Sequence, residues 1–343
     1  MNNREIERLR LRAKLYPGDR FSLEQLSRNE LRSGNRNDLI RSLLSSDHPD
    51  LVYEYFNSPE AVLELKEIIK TLDGRERLRL QLILDYISQI EIFEFYEVLA
   101  PGKTSYTSDY AETEGEEYEM PTMQEIFSYL KPYQIKIYEE MEKDGLEPKL
   151  QLTPIGLNIR TLASKIDGHK TMPSQLDTFI SARIINKNLK YAPTGYDARN
   201  QNKLKTLGGV SKAQYIKANK GWLIDIVATK KDLQPDPYIQ TDDSGTEYTN
   251  AQKTEIYFKN LKEKGMQGLC YESDIVAQMR ALKEGEPLEK DFWTILPDSS
   301  IDNEDFVSNA SWSFGQVNLY YYYAISQDDD LCCRSSVRVP WDL

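Results

Sequence analysis

Four consecutive tyrosines, Tyr320 to Tyr323, put the tightest constraint on how this chain folds. On a β-strand alternate residues face opposite sides, so the four rings cannot all enter one core. They sit in a window unlike the rest of the chain. From Ser308 the sequence is rich in Tyr, Ser, Asn and Asp, with an acidic run at Asp328, Asp329 and Asp330 and a cysteine pair at Cys332 and Cys333. Lysine is abundant before this region and absent after Lys290. Tyrosine offers a large amphipathic contact area for two side-chain torsions, and Ser, Asn and Asp add adaptable hydrogen bonds. The window therefore predicts a binding surface more than a core or a catalytic centre. A partly buried sheet face or a subunit contact is the competing reading.

Composition narrows the function classes. At 40% hydrophobic and 29% charged residues the chain matches an ordinary globular protein, and its 343 residues suffice for one large domain or about two to three ordinary ones. A net charge of −12 opposes general nucleic-acid binding, which needs a basic stripe. The local exception, Arg4, Arg8, Arg10, Arg12 and Lys14, is interleaved with Glu5 and Glu7 and reads as a solvated helix face. No apolar run approaches the roughly 20 residues that span a bilayer. The N-terminal Met1-Asn-Asn-Arg segment is charged and lacks a signal-peptide core, so a cytoplasmic or virion-associated protein is expected.

Catalytic and metal motifs are missing. Cys270, Cys332 and Cys333 imply no disulfide framework, and His48 and His169 have no metal-ligand spacing around them. Pro101-Gly-Lys-Thr lacks the upstream glycine of a phosphate loop. The consecutive aspartates lack the alternating spacing of the common calcium loop. No cofactor is expected, and the chain reads as a non-enzyme.

Periodicity predicts an α+β chain. Residues 1–100 read as a helical anchoring or oligomerisation region, with helices near residues 3–15 and 38–45. Ser58-Pro59 caps a third helix carrying Val62, Leu65, Ile68, Ile69 and Leu72, which Asp73-Gly74 ends. A fourth, residues 75–99, is apolar on more than one side and belongs inside a bundle or under another chain. Residues 101–120 are polar and acidic and read as a flexible linker. Residues 121–205 read as a helical connecting region, with one helix over 121–144 and another that starts at Thr153-Pro154 and carries Leu157, Ile159, Leu162, Ala163 and Ile166. Residues 186–210 read as loop or short hairpin.

From residue 206 to 343 the pattern is mixed. Ser211 caps a short helix, Trp222 to Thr229 reads as a central strand, and helices cover residues 250–264 and 271–283. Asp291-Phe-Trp-Thr-Ile-Leu is a strand. Trp312 to Leu319 and Ser335 to Val339 are closing strands of an antiparallel sheet. Trp222, Trp293, Trp312 and Trp341 read as core.

That order of Asp291-Phe292-Trp293-Thr294, Trp312-Ser-Phe314-Gly315, an insert and Arg334-Ser-Ser-Val-Arg-Val resembles the C-type-lectin-like fold. More narrowly, it is similar to the variable proteins of diversity-generating retroelements, over roughly residues 205–343. The resemblance implies a helical N-terminal region followed by a C-terminal C-type-lectin-like domain with a small antiparallel sheet. It also implies a window altered at template adenines. Asn codons changed in their first two bases cannot yield Lys, Glu, Gln, Met or Trp, and every residue from Asn318 to Cys333 except Gln327 fits. The related formylglycine-generating enzymes share the fold, but their catalytic cysteine arrangement is not recognisable.

On this reading Asn318, Tyr320, Tyr321, Tyr322, Tyr323, Ile325, Ser326, Asp328, Asp329, Asp330, Cys332 and Cys333 are the ligand-binding residues. Trp312 to Gly315 and Arg334 to Val339 are fixed scaffold. The expected partner is a protein or a glycan, met by a homo-oligomer if the helices assemble copies. A structural or assembly protein of a phage particle or secretion apparatus is the alternative.

Overall fold

Helices dominate the described residues up to residue 95 of the structure, a computed structural model. It describes residues 23–25, 36–168, 179–180, 189–198, 201–230, 233, 235–236, 239–288, 292–301, 303–313 and 316–340. The helix expected near residues 3–15, and His169, Asp291, Phe314, Gly315 and Trp341, lie outside the described residues. The chain divides into two units, residues 1–90 with 121–129, and residues 91–120 with 130–343.

The first unit contains α1 (Arg36–Ser45), α2 (Asp50–Tyr55), α3 (Pro59–Ile68), most of α4 (Gly74–Phe95) and α5 (Met123–Tyr129). Ser58 caps α3 by accepting from the Ala61 N–H, with Pro59 in the first turn. Val62, Leu65 and Ile68 are buried at the spacing of one helical face. Leu78, Leu80, Leu82, Ile83, Leu84 and Ile87 are buried around α4, so its apolar sides are covered within the chain. Arg79 donates from Nη1 to the carbonyls of Leu44 (2.6 Å) and Ser46 (2.5 Å), closing the end of α1. Burial, and then Arg75, lowers its pKa to about 10.

The second unit holds all the sheets. Its elements are β1 (Ser105–Thr107), β2 (Glu117–Glu119), α6 (Pro132–Lys143), β3 (Pro148–Pro154), α7 (Ile159–Gly168), β4 (Phe179–Ile180), β5 (Leu189–Asp197) and β6 (Lys205–Val210). There follow α8 (Lys212–Ala218), β7 (Trp222–Ala228), α9 (Asn250–Glu263), α10 (Tyr271–Lys283), β8 (Trp293–Ile295), β9 (Ser299–Ile301), β10 (Phe306–Ser313), β11 (Gln316–Tyr323), β12 (Leu331–Cys333) and β13 (Ser336–Arg338). Helices with small, mostly antiparallel sheets make this an α+β protein, as the periodicity predicts.

Strand β7 is central, between β13 and β3, and every residue of it is buried. A run of Trp, Leu, Ile and Val with no exposed face is what a doubly covered strand requires. Capping boxes start α8 at Ser211 and α9 at Thr249. A five-stranded mixed sheet runs β12-β8-β10-β11-β4, and β6-β5-β9 forms a separate three-stranded sheet.

Several expectations are corrected. Residues 101–120 are not a flexible linker. They form the β1–β2 hairpin, with Tyr106 opposite Tyr118. Tyr106 is buried, its ring edge-on to Trp222 at 5.0 Å. Its hydroxyl donates to the Gly221 carbonyl (2.5 Å) and accepts from the Gly156 N–H (2.8 Å). Gly156 has no room for a Cβ, which would stand 2.7 Å from that hydroxyl. Thr153 and Pro154 end strand β3 rather than start a helix, and α7 begins at Ile159. The helix expected over residues 121–144 is two helices, with Pro132 opening the second. A domain boundary at residues 205/206 fails, because β3 pairs with β7 and β5 pairs with β6 across it. Trp312 to Leu319 is not one strand: Ser313 ends β10, Gln316 starts β11, and the two residues pair. β13 closes a different sheet, against β7.

Candidate functional site

The tyrosine run occupies the last four positions of β11. Register places Asn309 opposite Tyr320, Ser308 opposite Tyr321, Val307 opposite Tyr322 and Phe306 opposite Tyr323. Alternation then sends the rings two ways. On one face Trp293 contacts Tyr322 at 4.9 Å and Tyr320 at 6.3 Å between ring centroids. On the other, Phe306 contacts Tyr321 at 4.6 Å and Tyr323 at 5.2 Å. Tyr320 and Tyr321 lie nearly parallel at 5.3 Å and join the two groups. These contacts link six rings into one continuous array. Trp293, Tyr320, Tyr321 and Tyr322 are half-buried, and Tyr323 is 59% exposed. Partly exposed aromatics that brace one another are rigid contact area.

The turn after the run is pinned to the start of α9. Asn250, fully buried, donates from Nδ2 to the Tyr323 carbonyl (3.1 Å) and to Asp328 Oδ2 (2.7 Å), and its Oδ1 accepts from the Asp328 N–H (3.2 Å). The N–H groups of Asn250 and Ala251 donate to the carbonyls of Ser326 (2.7 Å) and Ala324 (3.0 Å). These are first-turn donors that a helix leaves unpaired, so the turn satisfies α9 while α9 orders the turn. Lys253 donates to the Asp328 carbonyl (2.5 Å). The Trp293 backbone N–H donates to the Asp330 carbonyl (3.1 Å), which ties the end of the acidic run to the start of β8.

Electrostatics at this edge are negative. Lys253 sits among Asp328, Asp329, Asp330 and Glu247; burial pushes its ammonium pKa down while these carboxylates pull it up. Burial, and then Asp328, raises the Asp330 carboxyl above the ordinary Asp value. Burial and the charges of Asp328 and Asp330 also raise the Tyr322 phenol. An acid whose pKa is raised on folding stabilises below its unfolded pKa and loses that contribution as pH rises through the folded value. Asp330 is thus unfavourable at neutral pH. Asp330→Asn is expected to raise stability at pH 7 by about 0.5 kcal/mol, a small figure because the group is largely solvent-screened. The gain should vanish below about pH 4, where both states are protonated. Paired urea titrations at the two pH values check this.

The predicted site residues divide. Tyr320 to Tyr323, Ile325 (55% exposed), Ser326, Asp328, Asp329 and Asp330 gather around the array and its turn. Asn318 and Cys332 do not belong, being 6% and 1% exposed. Asn318 bonds with Gln316, and Cys332 lies against the Thr294 hydroxyl at 3.4 Å in the sheet interior. Cys333 instead borders a cleft of about 460 Å³ with Tyr257, Leu261 and Met266. Burial pushes its thiol pKa well up, which makes it a poor nucleophile.

Sequence reasoning missed Trp293, assigned to the core, and Phe306, Asn250 and Lys253. Asn309 and Ser311 were missed as well. They stand in β10 on the Tyr320 face, and Asn309 Nδ2 and Oδ1 and Ser311 Oγ are buried without partners among the described residues. The signal for Trp293, Phe306, Asn309 and Ser311 is cross-strand register, which one strand's sequence does not carry, whereas Asn250 and Lys253 arrive on helix α9.

A second group of charges holds the scaffold. Arg338 lies opposite Asp225 in the β13–β7 pair and bonds both its oxygens (2.6 and 3.3 Å). It also donates to Asp298 Oδ2 (3.1 Å) and the Tyr215 hydroxyl (2.5 Å), and Tyr215 donates to Asp298 (2.8 Å). Tyr191 stacks on Tyr215 at 5.1 Å and donates to Glu272 Oε1 (2.8 Å), which Lys212 also meets at 2.9 Å. Burial raises the Asp225 carboxyl while Arg338 pulls it down. Arg334, fully buried, donates to the carbonyls of Ala228 (2.7 Å) and Lys230 (3.0 Å). Arg334 and Arg338, which follow the window, are therefore committed to internal bonds.

Comparison with protein-family models, with curated proteins and with solved structures finds no match for this chain.

Proposed function

We propose that the protein is a non-enzymatic ligand-binding protein whose display surface is the aromatic array on β11 with its acidic turn. The carrying observation is the six-ring ladder from Trp293 to Tyr323, with Phe306 buried and the other five rings partly exposed, and with its strand end braced by Asn250 on α9. Rigid aromatic anchors lose little entropy on binding, which favours a contact surface. The division between bonded flanks and a partly exposed window supports the further proposal of a variable protein of a diversity-generating retroelement, built on a C-type-lectin-like domain. Its partner is a protein or a glycan.

Paired replacement Tyr320→Ala/Tyr322→Ala is expected to weaken ligand capture by about 30-fold or more, the scale of losing two aromatic hot spots. Binding would be read by array or cell-surface titration and folding by urea denaturation. Unfolding of the variant with wild-type binding per folded molecule would assign the rings to the core instead. The retroelement proposal predicts a near-identical copy of the Asn318 to Cys333 coding stretch beside a reverse-transcriptase gene, differing only at adenines. Sequencing the locus decides it.

A further inference from the structure

Resting on that display reading, we infer that the ligand is a cationic polypeptide segment, one of whose arginine or lysine side chains lies on the Trp293 and Tyr322 rings between Asp328 and Asp330. Three arrangements carry this. The rings of Trp293 and Tyr322 are in contact at 4.9 Å, and a guanidinium or ammonium group binds favourably over such faces. The acidic run adjoins this pair: the Asp330 backbone carbonyl accepts from the Trp293 backbone N–H, Asn250 fixes Asp328, and both carboxylates stand close enough to raise the Tyr322 phenol. Carboxylates so placed supply charge-assisted hydrogen bonds to a cation resting on the indole. Lys253 is the nearby cation, and its ammonium is turned to the Asp328 carbonyl, so three carboxylates face one buried lysine.

The third arrangement lies between the strands. Asn309 is fully buried in β10, in register with Tyr320, and neither its Nδ2 nor its Oδ1 has a partner among the described residues. A side-chain amide offers donors and an acceptor together, the complement of a peptide unit. Ser311 Oγ, two residues along on the same face, is likewise buried and unpartnered. Both groups are buried beneath the face that carries Tyr320, so an arriving backbone reaches them by displacing that ring on binding. A neutral glycan would use the rings and donate hydroxyl hydrogen bonds to the carboxylates, but only a cation also neutralises three clustered charges.

The test uses the full chain and two labelled peptides of equal length, one alternating arginine and glycine, the other with citrulline in place of arginine. Fluorescence polarisation is recorded at about 50 mM and about 300 mM NaCl, which shortens the screening length more than twofold. The arginine peptide is expected to bind at least about tenfold more tightly than the citrulline peptide, and to lose about tenfold at high salt. Asp330→Asn and, separately, the exposed Asp329→Asn should each lower arginine-peptide affinity about threefold and leave the citrulline peptide unchanged. Glu114→Gln/Glu139→Gln, which removes two exposed acids elsewhere, should change neither, so a loss there would assign the binding to net charge and overturn the inference. Equal affinity for the two peptides, or none for either, also overturns it. If a neutral glycan array is then bound in a Tyr322-dependent manner, the cationic partner falls while the display surface stands. If no probe responds to Tyr320→Ala/Tyr322→Ala, both fall.

Discussion

Arg338→Met is expected to lower the unfolding free energy by about 3–5 kcal/mol in urea denaturation. The guanidinium side chain is 17% exposed and carries Asp225, Asp298 and Tyr215 together. Methionine keeps much of the volume and removes every donor, leaving two buried carboxylates without their counter-charge. Most of the loss is that orphaned charge rather than the worth of the pair itself. The pH dependence follows from Asp225, whose carboxyl burial already raises. Without Arg338 the rise is larger, so the variant's deficit should be greatest at neutral pH. It should shrink as the pH falls toward the ordinary carboxylate range, where the buried group binds its proton. Adding Asp225→Asn and Asp298→Asn is expected to recover part of the loss at pH 7. A single-variant loss under about 1 kcal/mol would mean that water replaces the guanidinium, and the scaffold role of β13 would be lost with it.

Trp222→Ala should cost about 3–5 kcal/mol, through the cavity left by the largest fully buried side chain. Its ring touches Tyr106 at 5.0 Å and Phe93 at 5.7 Å, and Nε1 donates to the Tyr118 carbonyl at 3.2 Å. The indole is thus the seat on which the β1–β2 hairpin rests. Beyond a fall in melting temperature of roughly 10 °C, limited proteolysis should cut the variant between Ser105 and Glu119 where wild type resists. Global destabilisation with the hairpin still protected would show that Tyr106, through Gly156 and Gly221, holds it alone.

Where the sequence was readable, local chemistry decided the outcome. Ser58-Pro59 and Ser211 start helices as their side chains dictate, and the apolar run from Trp222, interrupted only by Asp225, has no stable home except a covered strand. The hairpin was not readable. Each of its strands has three residues, and Tyr106 becomes core only because Trp222 comes to it from far along the chain. Leu150 and Leu152 fit either period, and pairing with Ile226 and Ile224 made them a strand. At the site, the tyrosines and aspartates could be named, but their partners could not. Trp293 joins them through strand pairing, and Asn250 through the approach of a helix. Asn318 and Cys332 were misplaced because a codon pattern says which residues mutation can produce and is silent on which way a side chain faces.

The position of Arg338 downstream of the tyrosine run has a consequence for synthesis. A ribosome translates Tyr320 to Asp330 before it reaches the residue that neutralises Asp225 and Asp298. A chain stopped or shifted out of frame inside the window lacks both this guanidinium and strand β13, and β7 keeps a bare apolar edge. Such fragments are substrates for proteolysis rather than for folding. In-frame translation through the window is thereby read out as stability, because the residues that complete β7 and its carboxylates come after it.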